Sequence, residues 1–207
     1  MKRVVKFLGA SAIISSFVLA SCTLTKLTGV YKDSTYTGGS LSRVLVVGVA
    51  ENLRKRKMFE QFFAEKFQSN GVKAFASSDV ISGDKKLDKD TIKGEADKLG
   101  VDAVLVTHLA GVEEKVNYVP PTTTYVPAPR YYHLGRYYSR VDGYVHEPGY
   151  YVKHKYVRLE NNLYETKTEK LIWSASSEII NPISTNEIIE SLCEVVMKSL
   201  RSHKLIK

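Results

Sequence analysis

Apolar and polar positions along this chain follow more than one rhythm. Arg43 to Ala50 (Arg-Val-Leu-Val-Val-Gly-Val-Ala) is a nearly continuous β-branched run, the pattern of a strand covered on both faces. From Asn52 to Phe67 the apolar residues fall at 58, 59, 62, 63 and 67, a helical spacing, and Gly71 stands just beyond as a stop. Val72 to Ala76 alternates like a short strand. Asp88 or Asp90 is placed to cap a helix that reaches Leu99 and closes on Gly100. Val101 to Leu109 repeats the buried-strand pattern. Tyr151 to Glu160 alternates with one polar face, and Leu163 to Ser176 reads as a hairpin turning near Lys167 to Lys170. A last helix starts after Pro182, with Ser184 or Thr185 as its cap and Glu187 in its first turn, and runs to Ser202. Its apolar positions 188, 189, 192, 195, 196 and 200 make one stripe of the width that packs on a sheet. This order predicts an α/β fold: a layered mixed sheet built as strand-helix-strand-helix-strand, a long insertion, a hairpin and a C-terminal helix, with the helices packed on the sheet.

Two stretches break the rhythm. Residues 23–42 are rich in Thr, Ser, Gly and Lys and end in Thr37-Gly38-Gly39-Ser40, so a flexible tether is expected over 22–42 and a single domain over 43–202. Residues 115–150 hold five of the six prolines and most of the tyrosines, and read as a long excursion from the sheet, partly polyproline-like.

The amino terminus has a rhythm of its own. Lys2, Arg3 and Lys6 precede an apolar run from Phe7 to Leu19, which ends in Leu19-Ala20-Ser21-Cys22. Basic, apolar, then small is the layout of a secretory signal. The apolar run is about 13 residues, short of the roughly 20 a spanning helix needs. Leu-Ala-Ser-Cys resembles the lipobox of bacterial lipoproteins, which implies a cut before Cys22, a signal peptide over 1–21, and fatty acylation of that cysteine. Several buried acyl chains, at about 0.8 kcal/mol per CH₂, give durable anchoring. Thr23 follows the cysteine. Lipoproteins of the enterobacterial kind that stay at the inner membrane carry aspartate there, so the resemblance implies the outer membrane, with the domain in the periplasm.

Composition narrows the partners. Removing residues 1–21 leaves 186 of the 207 residues, enough for one domain with a proper core. The removed segment carries three positive side chains and no acids, so the formal charge falls from +8 to about +5. Export and this modest charge argue against nucleic acid; anionic lipid, lipopolysaccharide or the acidic groups of peptidoglycan suit it better. Cys22 is consumed by lipid, which leaves Cys193 alone on an amphipathic pattern, a core thiol and no disulfide.

Candidate chemistry is thin. His133, His146 and His154, beside Asp142 and Glu147, are spaced thirteen and eight apart and match no compact metal-ligand motif, and His108 reads as a strand-end residue. Ser, His and Asp occur without a Gly-x-Ser-x-Gly elbow. Gly38-Gly39 lacks the further glycine and lysine of a phosphate loop. No catalytic residue, metal or cofactor is expected. The cluster most suited to binding is Tyr131, Tyr132, Arg136, Tyr137, Tyr138, Arg140 and Tyr144, with Tyr150 and Tyr151 beyond it. Tyr and Arg give large contact area and directional hydrogen bonds at little entropic cost, which suits a protein partner. The same side chains stack on sugar rings or sit at a membrane interface.

Several segments together look like a known group. They are the lipobox, the strand Val46-Val47-Gly48-Val49-Ala50, the pair Phe59-Glu60, the segment Gly71-Val72-Lys73-Ala74, residues 99–106 (Leu-Gly-Val-Asp-Ala-Val-Leu-Val), and residues 163–175 ending in Trp173-Ser174-Ala175. In this order the chain, over roughly 41–202, resembles the α/β lipoprotein domains related to CsgG, the amino-terminal domain of TolB and LpoB. The resemblance implies a packing role for Trp173 and a non-enzymatic envelope role: assembling, activating or stabilising a larger complex, with an envelope protein or further copies of the chain as partner. In CsgG-like proteins the region equivalent to 115–150 can become pore-forming strands. The prolines here oppose that, because a membrane strand must donate every backbone N–H. The other expectation is a lipoprotein that uses the Tyr/Arg stretch to hold peptidoglycan or lipopolysaccharide.

Overall fold

The computed structural model describes residues 24–82, 85–123 and 146–207. The apolar run at 43 forms β2 (Arg43–Val49), with Val44 to Val47 fully buried. It lies parallel to β3 (Lys73–Ala76) on one side and to β4 (Ala103–Val119) on the other. Beyond β4 the sheet turns antiparallel through β7 (Tyr150–Glu165), β8 (Leu171–Ile180) and β1 (Leu24–Lys32). The spatial order is β1-β8-β7-β4-β2-β3. Two short strands, β5 (Thr122–Thr123) and β6 (His146–Glu147), pair with each other apart from this sheet.

The helices begin and end where local chemistry allows. In α1 (Leu53–Ser69) the Asn52 side chain accepts from the Lys55 N–H at 3.0 Å. After α2 (Ser77–Val80), a turn outside the expected elements, comes α3 (Lys89–Leu99). Asp88 caps it through the Thr91 N–H at 3.0 Å, and Gly100 stops it in the left-handed region at φ 59°. In α4 (Thr185–Ser202) Ser184 accepts from the Glu187 N–H at 3.1 Å, while Glu187 accepts in return from the Ile183 N–H.

One face of the sheet carries α1 and α4. Phe59, Phe63, Phe67, Leu192, Cys193, Val196 and Leu200 pack there onto Val44, Val46, Leu105, Leu163 and Trp173. Trp173 is a packing residue, fully buried, with its indole N–H 3.3 Å from the Ser199 hydroxyl that accepts it. The opposite face is covered by α3 only over β2 and β4, where Leu45, Val47 and Val104 meet Ala96 and Val101. Across β7, β8 and β1 that face is polar, with Arg158 joined to Glu113 and Glu178, and Lys26 to Glu178, each at 3.0 Å.

The strands outrun the sequence pattern in three places. Residues 24–32, expected within a tether, form the edge strand β1, because its backbone pairs with β8 and Leu27 turns onto the core, while Lys26 and residues 28–32 lie exposed. The ordered unit therefore starts at 24, and it extends past 202, since Leu205 and Ile206 are buried. The expected excursion at 115–150 is narrower: β4 continues to Val119 and β7 begins at Tyr150, because each supplies the other's backbone partners. For the same reason the segments expected at 151–160 and 163–176 are not separate: 150–165 is one strand, and the turn lies between Glu165 and Leu171.

Candidate functional site

Cys22 and the lipobox residues Leu19, Ala20 and Ser21 lie outside the described residues, as do Tyr131, Tyr132, Arg136, Tyr137, Tyr138, Arg140 and Tyr144. The fold fixes the points from which both groups depart. β2 runs up to Val49, and β4, parallel to it, passes the same level at His108. At that end β8 finishes and β1 begins, since Leu24 pairs with Ile180, which also pairs with Tyr156 of β7. Tyr156 in turn pairs with Glu113 of β4. Beyond this level β4 and β7 continue together with no further described strand on either edge. Six more rungs, from Glu114–Lys155 to Val119–Tyr150, make a two-stranded arm. At about 3.3 Å per residue it extends about 20 Å. The Tyr/Pro segment leaves and re-enters at its tip, and the chain's first described residue sits at its root.

Both faces of the arm mix apolar, aromatic and charged groups. Val112, Val116, Tyr118 and Tyr151 share one face with Glu114, Lys153 and Lys155, and the Tyr118 and Tyr151 rings lie 5.1 Å apart. Val119, Val152, Tyr150 and Tyr156 share the other with Lys115 and His154; the Lys115 ammonium stands 5.3 Å from the Tyr156 ring centre. A bulge at Leu109 to Gly111 marks the arm's root in β4. His154 meets the Asn181 side chain at 3.0 Å, and His108 lies 3.5 Å from Glu160.

A groove of about 300 Å³ opens at the same end, between α1 and α4. Phe59, Val112, Val157, Ile188 and Leu192 line it, with Lys55 and Lys155 among its polar members. A larger cleft of about 640 Å³ lies at the opposite end, around Tyr36, Asp97, Asp102 and Glu165. Its polar groups are tied into the fold: one Asp102 oxygen accepts from the Ser42 N–H, the Ser42 hydroxyl and the Arg43 N–H at 2.7–2.9 Å. Burial pushes the Asp102 carboxyl up, but the bonds from Ser42 and Arg43 outweigh this and hold it below the ordinary range. Among the described residues no group of three or more His, Cys, Asp or Glu could hold a metal ion. Cys193 is buried, and burial pushes its thiol up to about 12.

Sequence patterning missed a buried carboxylate that, among the described residues, accepts four hydrogen bonds. Glu60 has no exposed surface. One of its oxygens accepts from the Gly48 N–H at 2.8 Å, Arg56 Nε at 2.9 Å and the Ser77 hydroxyl at 2.6 Å; the other accepts from the Ser78 N–H at 2.6 Å. It binds the end of β2 to α1 and α2. The signal was present: Arg56 and Glu60 lie on the stripe that also carries Phe59, Phe63 and Phe67.

No described helix is long and apolar enough to cross a membrane. No protein-family model matches the chain, and no curated protein matches it. Among solved structures it is similar to the PelC dodecamer from Paraburkholderia phytofirmans in two crystal forms. Identities are 12% and 10%, covering 84% of this chain and 96% and 95% of that one, with TM-scores of 0.45 and 0.41. It is also similar to lipoprotein GNA1162 from Neisseria meningitidis, at 14% identity over 78% of this chain and 99% of the other, with a TM-score of 0.40. A putative neuraminyllactose-binding hemagglutinin homolog from Helicobacter pylori follows at 14% identity, 76% and 79% coverage, and a TM-score of 0.30. Each is a likeness of outline, at identities that fix neither family nor activity.

Proposed function

We propose that the mature chain is a lipid-anchored lipoprotein of the cell envelope, held at the outer membrane through Cys22 with its domain in the periplasm. It acts without catalysis, as an assembly, stabilising or activating module for an envelope complex, and its domain is of the CsgG, TolB amino-terminal and LpoB kind. The observation that carries this reading is topological. Leu24, two residues after Cys22, and the arm that presents the Tyr/Pro segment stand at one end of the sheet. An anchored chain would thus turn toward the membrane the arm from whose tip the segment holding Tyr131, Tyr132, Arg136, Tyr137, Tyr138, Arg140 and Tyr144 departs. Aromatic and guanidinium groups so presented suit a protein hot spot. The polar groups of the larger cleft support a non-catalytic role, since Asp102 is occupied by structural hydrogen bonds.

In-cell photo-crosslinking from position Tyr137 tests the reading, with mass spectrometry of the adducts and a Cys22→Ala control. One discrete envelope protein, lost in the control, is the expected result. Adducts only to the chain itself would instead indicate self-assembly or a self-packed segment, and the absence of any protein adduct would remove the partner-binding role.

A further inference from the structure

A two-stranded ribbon reaching beyond its sheet is marginal in water, and past Lys155, whose backbone N–H and C=O are bonded to Asn181, no described strand pairs with either outer edge of this arm. The arm also exposes apolar and aromatic side chains: Val112, Val116, Tyr118 and, at 72% exposure, Tyr151 on one face, and Tyr150 on the other. Its position limits what could cover it. Leu24 stands level with the arm's root. Between Leu24 and Cys22 the chain spans at most about 7 Å. The arm runs on about 20 Å from that level. A domain held by lipid at Cys22 therefore has an arm longer than its leash, rising from the end that faces the bilayer.

We propose that the β4–β7 arm is a second membrane contact, lying in the headgroup layer of the bilayer that holds the Cys22 lipid. This rests on the lipid-anchor reading above. The side chains suit an interface and not a crossing. Tyr118, Tyr150 and Tyr151 have the amphipathic rings that settle at headgroup depth. Lys153 and Lys155 make no ion pair among the described residues and stand beside Tyr151 and Val116 on one face, placed for anionic headgroups. Their stems bury along apolar surface while the ammonium groups stay wet. Glu114 on that face, Lys115 and His154 on the other, and the open edges all oppose insertion into hydrocarbon. The groove between α1 and α4 opens at the same end, with Lys55 and Lys155 among its lining residues.

The test places the lipidated mature chain in vesicles of phosphatidylethanolamine and phosphatidylglycerol. An environment-sensitive dye is attached through Tyr151→Cys or Val116→Cys, with Lys167→Cys, in the turn at the opposite end, as reference. Buried Cys193 leaves the labelling selective. Lipids spin-labelled near the headgroup are expected to quench the dye at 151 and 116 several times more than at 167. Lys153→Ala combined with Lys155→Ala, or high salt, is expected to reduce that difference. Equal quenching at 151 and 167 would overturn the proposal. The mass of the Cys22 peptide, read in the same preparation, separates the two claims. Acylated Cys22 with an unquenched arm removes only the membrane contact; unmodified Cys22 removes the anchor, and the proposal with it.

Discussion

Replacing Glu60 with alanine removes the acceptor for four donors at once, two of them backbone N–H groups at the ends of β2 and α2. It also leaves the guanidinium of Arg56, itself 9% exposed, with the Ser77 hydroxyl at 2.8 Å as its remaining described partner. Breaking a buried ion pair from one side costs about 3–5 kcal/mol, because the surviving charge stays desolvated. Against a total stability of about 5–15 kcal/mol this is a large fraction. For a domain of this size it corresponds to a fall in melting temperature of roughly 6–20 °C. Glu60→Gln keeps the shape and part of the bonding and is expected to cost about half as much. Replacing both partners, Arg56→Met with Glu60→Leu, removes the stranded charge and is expected to recover part of the loss, since the Gly48 and Ser78 N–H groups and the Ser77 hydroxyl still lack their acceptor. Urea denaturation followed by far-ultraviolet circular dichroism reads all three variants. A loss below about 1 kcal/mol for Glu60→Ala, or a double variant no better than the single one, would refute the buried-pair account.

Three further expectations follow from the same packing. Asp102 is held below its ordinary pKa in the fold, so its contribution is present at neutral pH and is lost as pH falls from about 4 through the lower folded value; Asp102→Asn should flatten that acid limb in urea titrations at pH 2–5, and an unchanged limb would contradict the assignment. Trp173→Phe keeps most of the buried volume and loses the bond to Ser199, costing about 1 kcal/mol, whereas Trp173→Ala should cost about 3–5 kcal/mol by thermal denaturation; equal costs would mean that ring packing is not what holds the site. Cys193 should resist a thiol-specific disulfide reagent at pH 7.5 until denaturant is added, and rapid reaction of the folded chain would show that the core opens there.

The elements readable in the sequence were those whose boundaries are set locally. Asn52, Asp88, Ser184 and Gly100 mark helix ends through bonds and dihedrals that involve only neighbouring residues. β2 was readable because Val44 to Val47 form an apolar run covered on both faces. β1 was not, because an edge strand with one inward leucine has the composition of a linker. The arm was hidden for a related reason. Tyr151 to Glu160 was readable as a strand from its alternation, but Lys115 to Val119, the other half of the arm, is a strand only because residues 150–154, some thirty to forty residues later, pair with it, and no local periodicity records that. Glu60 reads as a surface carboxylate until Gly48, Ser77 and Ser78 arrive from other elements to bond it. For the candidate site, the shift to tyrosine and proline located the segment by composition, while the stem that carries it and its nearness to the chain's start came from the pairing alone.

The proposed envelope role depends on the anchor at Cys22. The decisive measurement is the intact mass and amino-terminal peptide of the chain recovered from the membrane fraction of cells that express it. The account predicts a chain that begins at Cys22 and carries the mass of the attached lipid, with Cys22→Ala shifting the protein out of that fraction. A chain that retains residues 1–21, or that begins elsewhere with an unmodified cysteine, would contradict it.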